Sequence, residues 1–297
     1  MLTAAQELGY HPNAMASGLI TKRSNLVAVL ISNLTNLYYP EVLAEITRRL
    51  SDHGIRVLLF ALQAESDVEA MLDQVWRYRV DGAIVAARLS PGQLGEFARR
   101  QVPVVLYNRF GEGEAVPSVC CDSIGGERQL VDLLVSAGHS VFGIIAGPDD
   151  SYVSAERVKG AQRRLEELNH KAFVVTGAFD YESGEVGLRS LMATTRNKLD
   201  ALICANDLMA IGAIDCARVT YKLGVPEDLS IVGFDGVAPA TWASYRLSTI
   251  RQPVRRMTEA AVAMLIERIE DPELPPEVRT FAGKLIEGGS ARLTAIG

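Results

Sequence analysis

"LVAVLIS" occupies residues 26–32, and every position except the last is apolar. A strand with one solvated face alternates apolar and polar side chains, whereas an unbroken apolar run indicates a strand buried on both faces. The run is followed by Val42, Leu43, Ile46 and Leu50, whose spacing is that of one face of a helix. The combination predicts an α/β protein whose parallel sheet is covered by helices.

The same strand-then-helix pattern recurs along nearly the whole chain. In the first part, strand-like runs lie near residues 55–61, 81–87, 102–108 and 118–122. In the second part, they lie near residues 141–147, 172–177, 199–207 and 229–235. A helical pattern near 254–270 and one strand-like run at 279–287 end the chain. Two successive series of similar size predict two doubly wound parallel-sheet lobes, joined by several segments.

Length, composition and charge narrow the class of protein. The 297 residues are enough for two compact lobes, and 48% of them are hydrophobic. No apolar run reaches the roughly 18 residues that would indicate a membrane span, and no secretory signal precedes the first strand, so we expect a cytoplasmic protein. The net charge of -6 argues against a bulk nucleic-acid binder. Residues 1–24 are slightly basic, which fits a short nucleic-acid-contacting element there.

The cysteine and histidine patterns point away from metal chemistry. The four cysteines show no CxxC spacing, and the four histidines form no HExxH or Cys/His pattern. We therefore expect buried free thiols, no metal site and no cofactor. The positions are Cys120, Cys121, Cys204, Cys216, His11, His53, His139 and His170.

Residues that follow the strands are the candidates for a binding site, because ligands of open α/β sheets bind at the carboxyl ends of the strands. Aromatic faces suit the apolar side of a sugar ring, and Asp, Asn and Arg match pairs of hydroxyls. The candidates are Tyr38, Tyr39, Arg88, Arg157, Phe179, Asn206 and Asp235. Other roles stay open: the tyrosines as packing residues, Asp207 as a helix cap, and Arg88 as a solvated surface group.

An enzyme is the alternative that the carboxylates raise, since two of them facing a cleft suit acid/base chemistry. The sequence has no GxSxG nucleophile elbow and no P-loop. "GEGEAV" (111–116) lacks the third glycine of a dinucleotide-binding loop and precedes no helix. The motifs therefore favour a binding protein over a catalyst.

Several segments, in order, resemble the lactose-repressor/galactose-repressor (LacI/GalR) family of bacterial transcription regulators. They are "AAQELGYHPNAMASGL", "RSNLVAVLI", "YYPEVLAEI", "RVDGAIV", "GHSVFGIIAGP", "NDLMAIGAI", "VPEDLSIVGFD" and "LSTIRQP". The resemblance spans nearly the whole chain. It implies a fold like the type I periplasmic binding proteins, with a short N-terminal hinge-helix segment.

The resemblance gives the first residues a role in DNA binding. The stretch that matches residues 12–20 is the family's hinge helix, which lies in the minor groove beside its partner's copy. Asn13, Ala16 and Leu19 are the implied DNA-contacting positions, with Leu19 as the wedge between base steps. Gly18 departs from the pattern and weakens a helix. The family's helix-turn-helix precedes this point, so we expect this polypeptide alone to bind operator DNA weakly.

The resemblance also carries effector contacts over, position by position. Arg157 and Asp235 match the positions of the family's strongest polar contacts with the effector. Asn206 matches a contact of the sugar-binding members, and Phe179 matches the aromatic residue that stacks on the ligand. Tyr38 and Tyr39 match the pair of contacts from the first lobe. Asp122 lies at a lobe crossing and ranks lower. Ser151 and Val153 stand where purine-binding members have Arg and Thr, which argues against a purine effector.

The implied organisation is a headpiece remnant and hinge helix at 1–24, an N-terminal effector lobe, and a C-terminal effector lobe. The N-terminal lobe comprises 25–122 plus 252–282, and the C-terminal lobe comprises 123–251 plus 283–297. We interpret the chain as a dimeric, ligand-responsive regulator, a repressor of carbohydrate or sugar-acid metabolism. Its partners are operator DNA and a sugar, sugar acid or sugar phosphate; Arg88 and Arg157 favour the anionic ligands. The alternative is a stand-alone sugar-binding protein without a DNA role.

Overall fold

The structure is a computed structural model that describes residues 23–32, 34–62, 67–111 and 116–294. The first half alternates strands and helices. These elements are β1 (Leu26–Ser32), α1 (Tyr38–Asp52), β2 (Arg56–Leu62), α2 (Val68–Arg77), β3 (Gly82–Ala86), α3 (Pro91–Arg99), β4 (Val104–Tyr107) and β5 (Ser118–Cys121). Asn13, Ala16 and Leu19 of the expected hinge lie outside the described residues.

The second half repeats the alternation. Its elements are α4 (Ser123–Ser136), β6 (Phe142–Ala146), α5 (Tyr152–Glu167), β7 (Ala172–Thr176), α6 (Tyr181–Thr194), β8 (Ala201–Cys204), α7 (Asp207–Asp215), β9 (Ser230–Asp235), β10 (Ser248–Arg251), α8 (Val254–Glu270), β11 (Val278–Phe281) and β12 (Lys284–Ile286). A π-helical turn at Cys216–Thr220 follows α7. None of the helices that the structure describes is both long and apolar enough to cross a bilayer.

Two six-stranded sheets organise the described part of the chain. The strand order is β11-β5-β4-β3-β1-β2 in the first sheet and β12-β10-β9-β8-β6-β7 in the second. All pairings are parallel except that of β10 with β12, which is antiparallel. The prediction of two doubly wound parallel-sheet lobes is confirmed.

The chain passes between the sheets three times. It leaves the first sheet after β5, returns to that lobe after β10 through α8, and leaves again between β11 and β12. The strand-like run at 279–287 forms two short strands in different sheets, separated by Ala282 and Gly283. A Cβ at Gly283 would collide with Ile250, so the chain crosses here where only a glycine fits.

The central strands of the sheets are more buried than the edge strands. β1 and β3 are buried along nearly their whole length, as their apolar runs predict. β2 and β7 each pair with one neighbour only, and Leu59 and Phe173 on them are 40% and 44% exposed. The expectation that the run at 55–61 is buried on both faces is therefore wrong, because β2 is an edge strand that pairs with β1 alone.

Candidate functional site

A cleft between the lobes collects side chains from the carboxyl ends of both sheets. β1 and β4 direct residues into it from the first sheet, and β6, β7 and β9 direct residues from the second, as expected for open α/β sheets. The lining residues are Asn36, Tyr38, Tyr39, Asn108, Arg109, Ser151, Val153, Arg157, Phe179, Asp235 and Gln252. They enclose about 20 Å³, little more than one water molecule needs.

Arg157 and Asp235 form a buried ion pair at the centre of this wall. Arg157 Nη2 lies 2.8 Å from Asp235 Oδ1, and both residues are 3% exposed. Arg157 Nη1 also donates to the Ala205 carbonyl at 2.5 Å, and the guanidinium lies 4.0 Å from the ring centroid of Phe234. Arg157 Nε has no hydrogen-bond partner among the described residues. The ion pair is thus held in place, and the Arg157 Nε–H group can still donate a hydrogen bond to a ligand.

Asp235 occupies an unusual backbone conformation. Its φ of 119° is one that residues with a side chain rarely adopt, and it is the last residue of β9. The surrounding structure fixes it: its carbonyl accepts from Gln252 N at 3.1 Å. Such outliers persist where neighbouring contacts over-determine them and are concentrated at binding sites. Here the conformation sets the direction of the carboxylate toward the cleft.

A chain of hydrogen bonds links the two lobes through the cleft. Gln252 Nε2 donates to Asp235 Oδ1 at 2.8 Å, and Gln252 Oε1 accepts from Asn108 Nδ2 at 2.8 Å. Asn108 also contacts Tyr38 Oη at 3.3 Å, and Asn36 Nδ2 lies 3.5 Å from Asp235 Oδ2. The groups that a polar ligand needs are therefore bonded to one another. A ligand of ring size enters only if some of these bonds are exchanged.

The tyrosines of the first lobe form a buried cluster. Tyr38 and Tyr39 are in edge-to-face contact, with ring centroids 5.3 Å apart. The Tyr38 and Tyr107 hydroxyls lie 3.2 Å apart. Burial raises the pKa of Tyr38 well above its ordinary value, and the neighbouring Tyr107 adds to the rise. Both hydroxyls stay neutral, so they serve as hydrogen-bonding groups rather than charges.

Phe179 is positioned by its neighbours. It is 8% exposed and has a left-handed backbone, with φ of 62°. A Cβ on Gly147 would collide with its ring, so the ring lies directly on the strand end. Asn206 Nδ2 donates to the Phe179 carbonyl at 2.9 Å, and Asn206 Oδ1 caps α7 by accepting from Met209 N at 3.0 Å. Asn206 therefore lies behind the cleft wall and supports Phe179.

The structure brings together five of the eight effector positions expected from the sequence: Tyr38, Tyr39, Arg157, Phe179 and Asp235. The other three lie elsewhere. Arg88 is exposed and outside the lining, Asn206 is fully buried behind it, and Asp122 caps α4 and lines an adjoining cavity. Ser151 caps α5, and Val153 lines the cleft.

Beyond Ser151 and Val153, four lining residues are not among the expected effector positions: Asn36, Asn108, Arg109 and Gln252. Arg109 is 3% exposed and donates to the Asn108 carbonyl at 2.9 Å and toward Ser32 Oγ at 3.4 Å. Arg109 directly follows Asn108 after β4. A search for site residues that includes the second position after each strand would therefore have identified it. Gln252 follows β10 and is found by the same search.

Two further buried carboxyl groups lie behind the ion pair. Glu127 on α4 is 1% exposed, and neither carboxyl oxygen has a hydrogen-bond partner among the described residues. Burial raises its pKa to about 8, against the attraction of Arg157. Burial likewise raises the pKa of Asp207 to about 8, and the Asp235 charge adds to it. The acids around Arg157 are therefore not all ionised at neutral pH.

Asp207 is not a helix cap, contrary to the expectation. Asn206 is the cap of α7, and the Asp207 carboxylate turns inward. It accepts from Thr249 Oγ1 at 2.6 Å and from Val237 N at 2.8 Å. The residue joins α7 to the segment after β9 and to β10, so its role is to hold these elements together. No group of three or more His, Cys, Asp or Glu in the described ranges is arranged to hold a metal ion.

Known proteins share this architecture. Residues 131–291 match the model of the periplasmic binding protein-like domain. The HTH-type transcriptional repressors PurR of Yersinia enterocolitica and Yersinia pestis are 30% identical over 291 residues, which is 96% of this chain and 85% of each relative. Their similarity thus extends across both lobes.

Solved structures agree in fold. A CelR–cellobiose complex superposes with a TM-score of 0.82 at 28% identity, covering 97% of this chain and 89% of that one. A sugar-binding LacI-family regulator from Escherichia coli, complexed with phosphate, gives 0.77 at 26% identity over 91% and 99%. The lac repressor dimer on operator gives 0.84 at 23% identity over 95% and 99%, a likeness of fold alone.

The two lobes and the polar cleft between them define an effector-binding domain of the periplasmic-binding-protein type. The chain belongs to the lactose-repressor/galactose-repressor (LacI/GalR) family of transcription regulators.

Proposed function

We propose that the chain is a ligand-responsive transcriptional repressor whose effector is a carbohydrate bound between the lobes. The cleft carries this proposal: Phe179 and Tyr39 provide aromatic faces, and the Arg157–Asp235 pair provides fixed hydrogen-bonding groups. This combination suits the apolar face and the hydroxyl edge of a sugar ring. The similar regulators described with cellobiose or as sugar-binding support the same ligand class.

The wall formed by the start of α5 supports a sugar over a purine. Ser151 Oγ accepts from Ser154 N at 3.3 Å as the helix cap. Val153 beside it is apolar. Neither side chain provides the bidentate group that recognition of a base edge requires.

The hydrogen-bond chain through the cleft suggests how a ligand acts on the rest of the protein. A sugar hydroxyl that binds Asp235 competes with Gln252, which accepts at its other end from Asn108 of the first lobe. Ligand binding then changes the spacing of the lobes, and the first lobe begins directly after residues 1–24, where the family resemblance places the hinge helix. We propose that this spacing controls operator contact in the cytoplasm, by binding and not by catalysis.

Exposed apolar surface supports a homodimer. Leu34, Pro40, Leu43 and Ala44 form an apolar face along α1. The other lobe also exposes large apolar side chains: Tyr181, Val219 and Trp242 are 36%, 68% and 58% exposed. Large exposed apolar side chains of this kind mark association surfaces. We propose that these surfaces belong to the dimer interface.

The proposal is tested with the protein and DNA fragments from its own upstream region. A thermal-shift screen of sugars, sugar acids and sugar phosphates is expected to find ligands that raise Tm, because binding to the folded state stabilises it by RT ln(1 + [L]/Kd). The same ligands should change DNA affinity when a helix-turn-helix segment precedes residue 1. A ligand that raises Tm without any effect on DNA binding supports the alternative, a stand-alone sugar-binding protein. If no carbohydrate raises Tm, the effector class is wrong.

The charge of the cleft sets a finer prediction. Arg109 and Arg157 line it with one carboxylate, Asp235, and Arg88 does not line it. We propose that the central ligand unit carries an anionic group, a sugar acid or sugar phosphate, near Arg109. Arg109→Gln is expected to weaken binding of hexuronates or phosphosugars about tenfold or more, and that of neutral hexoses far less. Arg88→Gln is the matched control. Equal losses for neutral and anionic ligands, measured by calorimetry, contradict the prediction.

A further inference from the structure

The first lobe has a cavity at the end of its sheet that lies opposite the cleft. The strands β1, β3 and β4 run parallel, so their amino ends meet here while their carboxyl ends point toward the cleft. The cavity is open to solvent and measures about 460 Å³. We call it the basal cavity. Its charged lining residues are Arg23, Arg79, Asp81 and Arg100.

Asp81 anchors the start of the first lobe at this cavity. Ser24 donates to Asp81 Oδ1 from its backbone N at 2.8 Å and from its Oγ at 2.9 Å, and Asn25 N donates to Asp81 Oδ2 at 2.8 Å. Asp81 N in turn donates to the Leu26 carbonyl at 2.8 Å. The chain therefore joins the lobe at the wall of the basal cavity, next to the segment 1–24 that the family resemblance assigns to DNA.

Two arginines reach the basal cavity from neighbouring turns. Arg79 lies between α2 and β3, and Arg100 lies between α3 and β4. Because β3 and β4 are paired, these turns lie side by side at the amino end of the sheet. Both arginines are exposed to solvent. Their guanidinium groups can therefore donate to a ligand without first leaving the interior.

Arginines outnumber carboxylates in the lining of the basal cavity, three to one among the described residues. Nearby, Glu96 Oε2 lies 3.1 Å from Arg100 Nε and 2.6 Å from Arg99 Nη2, so one carboxylate serves two arginines. The whole chain has a net charge of -6, which makes this a positive region on an acidic protein. Such a region attracts anions, and the planar guanidinium group matches the geometry of phosphate oxygens.

The surroundings of Trp76 favour a phosphate backbone over a free nucleotide as the anion. The Arg100 guanidinium lies over the Trp76 ring, 4.8 Å from its centroid, and Phe97 meets the same ring edge to face at 4.9 Å. A nucleobase needs an uncovered aromatic face on which to stack, and these contacts already use the ring. Recognition in the basal cavity therefore rests on charge rather than on stacking.

We propose that the basal cavity binds the sugar–phosphate backbone of duplex DNA, with Arg79 and Arg100 donating to phosphate oxygens and Arg23 at the rim. The proposal rests on the DNA-binding regulator proposed above, and it adds a DNA contact made by the effector lobe itself. The duplex is the occupant because the cavity lies where residues 1–24 join the lobe. Phosphate contacts position a protein on DNA without reading its sequence. The basal cavity therefore strengthens binding to every duplex alike.

The experiment measures the fluorescence anisotropy of labelled duplexes with the full chain. One duplex comes from the protein's own upstream region, and the other has the same composition in scrambled order. Arg79→Gln combined with Arg100→Gln is expected to weaken binding of both duplexes about tenfold at about 50 mM salt. The slope of log K against log[salt] should become shallower by about two, since two phosphate contacts are lost. No loss, or a loss confined to the upstream duplex, contradicts the proposal.

Two arginines of the second lobe provide the matched control. Arg163 on α5 and Arg196 after α6 are exposed, so Arg163→Gln combined with Arg196→Gln removes the same charge from a surface outside the basal cavity. This variant should bind both duplexes within about twofold of the original protein, because salt screens distant charges. Equal losses in the two double variants would indicate an effect of net charge and overturn the proposal.

Two further measurements separate other roles of these arginines. Arg100 directly follows α3, and a cation at this end stabilises the helix dipole. A lower Tm with unchanged DNA affinity would show that this is its only role. Inorganic phosphate at matched ionic strength tests for a free anion, because an anion bound to the folded state raises Tm. If phosphate stabilises the original protein but not the Arg79 and Arg100 variant, and both bind DNA equally, the assignment to DNA is wrong.

The protein with a helix-turn-helix segment before residue 1 separates the basal contact from the regulator itself. This protein is expected to bind its operator, and the Arg79 and Arg100 variant should weaken that binding by a similar factor. Operator binding that the double variant leaves unchanged would overturn the basal contact and keep the regulator. If the extended protein binds no DNA, the regulator is wrong and the basal contact falls with it.

Discussion

Arg157→Met is expected to abolish effector binding and to lower the free energy of unfolding by about 3 kcal/mol. Arg157 is bonded to Asp235 at 2.8 Å with both side chains almost fully buried, so the variant leaves a carboxylate in the interior without its cation. The loss lies at the low end for a buried pair because Gln252 and Asn36 still donate to Asp235. Urea unfolding measures the stability, and calorimetry measures the binding of the sugar that raises Tm most.

A double variant separates the structural role of the pair from its role in binding. Arg157→Met combined with Asp235→Asn removes both charges, and asparagine keeps the size and shape of the aspartate that it replaces. Most of the lost stability should return, since no unpaired charge remains, while effector binding stays absent. If the double variant binds as well as the original protein, the pair is structural only.

A surface arginine on the same helix provides the matched control. Arg164 lies two turns beyond Arg157 and bonds to Asp132 at 2.5 Å and to Glu167 at 2.7 Å. It is partly exposed, so its ion pairs contribute at most about 1 kcal/mol. Arg164→Met should therefore leave effector affinity unchanged and cost far less stability than Arg157→Met. Equal costs for the two variants contradict the argument from burial.

The central strands were predictable from the sequence because a parallel strand covered on both faces needs an unbroken apolar run. "LVAVLIS" and "GAIVA" satisfy this condition and lie in the middle of the first sheet. The runs at β2 and β7 look the same, yet both are edges. Apolar composition reports that a residue favours burial, but which strand comes last in a sheet depends on pairings between distant segments.

The sequence predicts those residues of the candidate site that lie at or just after the carboxyl ends of strands. Asp235 and Phe179 follow this rule directly. Asn206 and Asp207 show its limit: they are adjacent polar residues after one strand, yet the first caps a helix and the second turns inward to Thr249. Gln252 enters the cleft only because β10 leads out of one lobe toward the other. Contacts of this kind arise from the relative placement of two lobes, which local sequence does not encode.

Glu127→Gln is expected to remove a large part of the pH dependence of stability between about pH 4.5 and pH 8. Glu127 keeps its proton in the folded protein up to about pH 8, because burial raises its pKa from the ordinary value of 4.5. The unfolded chain releases that proton near its ordinary value. Within this window the unfolded state binds fewer protons than the folded state, so the free energy of unfolding falls as pH rises.

The size and sign of the effect follow from the same comparison. Below about pH 4.5 the carboxyl group is protonated in both states, so Glu127→Gln should unfold at nearly the same urea concentration as the original protein. At pH 8 the variant should be more stable by about 2–4 kcal/mol, since each pKa unit corresponds to about 1.4 kcal/mol and solvent relaxation reduces the total. The pKa of Asp207 is also raised to about 8, so Asp207 also makes the free energy of unfolding fall as pH rises. Part of the pH dependence of stability therefore remains in Glu127→Gln.

The control for Glu127 is an exposed glutamate, Glu166→Gln, which should leave the stability profile unchanged. Parallel profiles for the original protein and Glu127→Gln would show that Glu127 is ionised in the folded state, beside the charge of Arg157. That outcome would also change the reading of the cleft, because Arg157 would then be shared between two carboxylates. If instead Glu127→Gln flattens the profile, Glu127 is protonated at neutral pH and leaves Arg157 bonded to Asp235 alone. The Arg157–Asp235 pair is then the charged group that the effector meets.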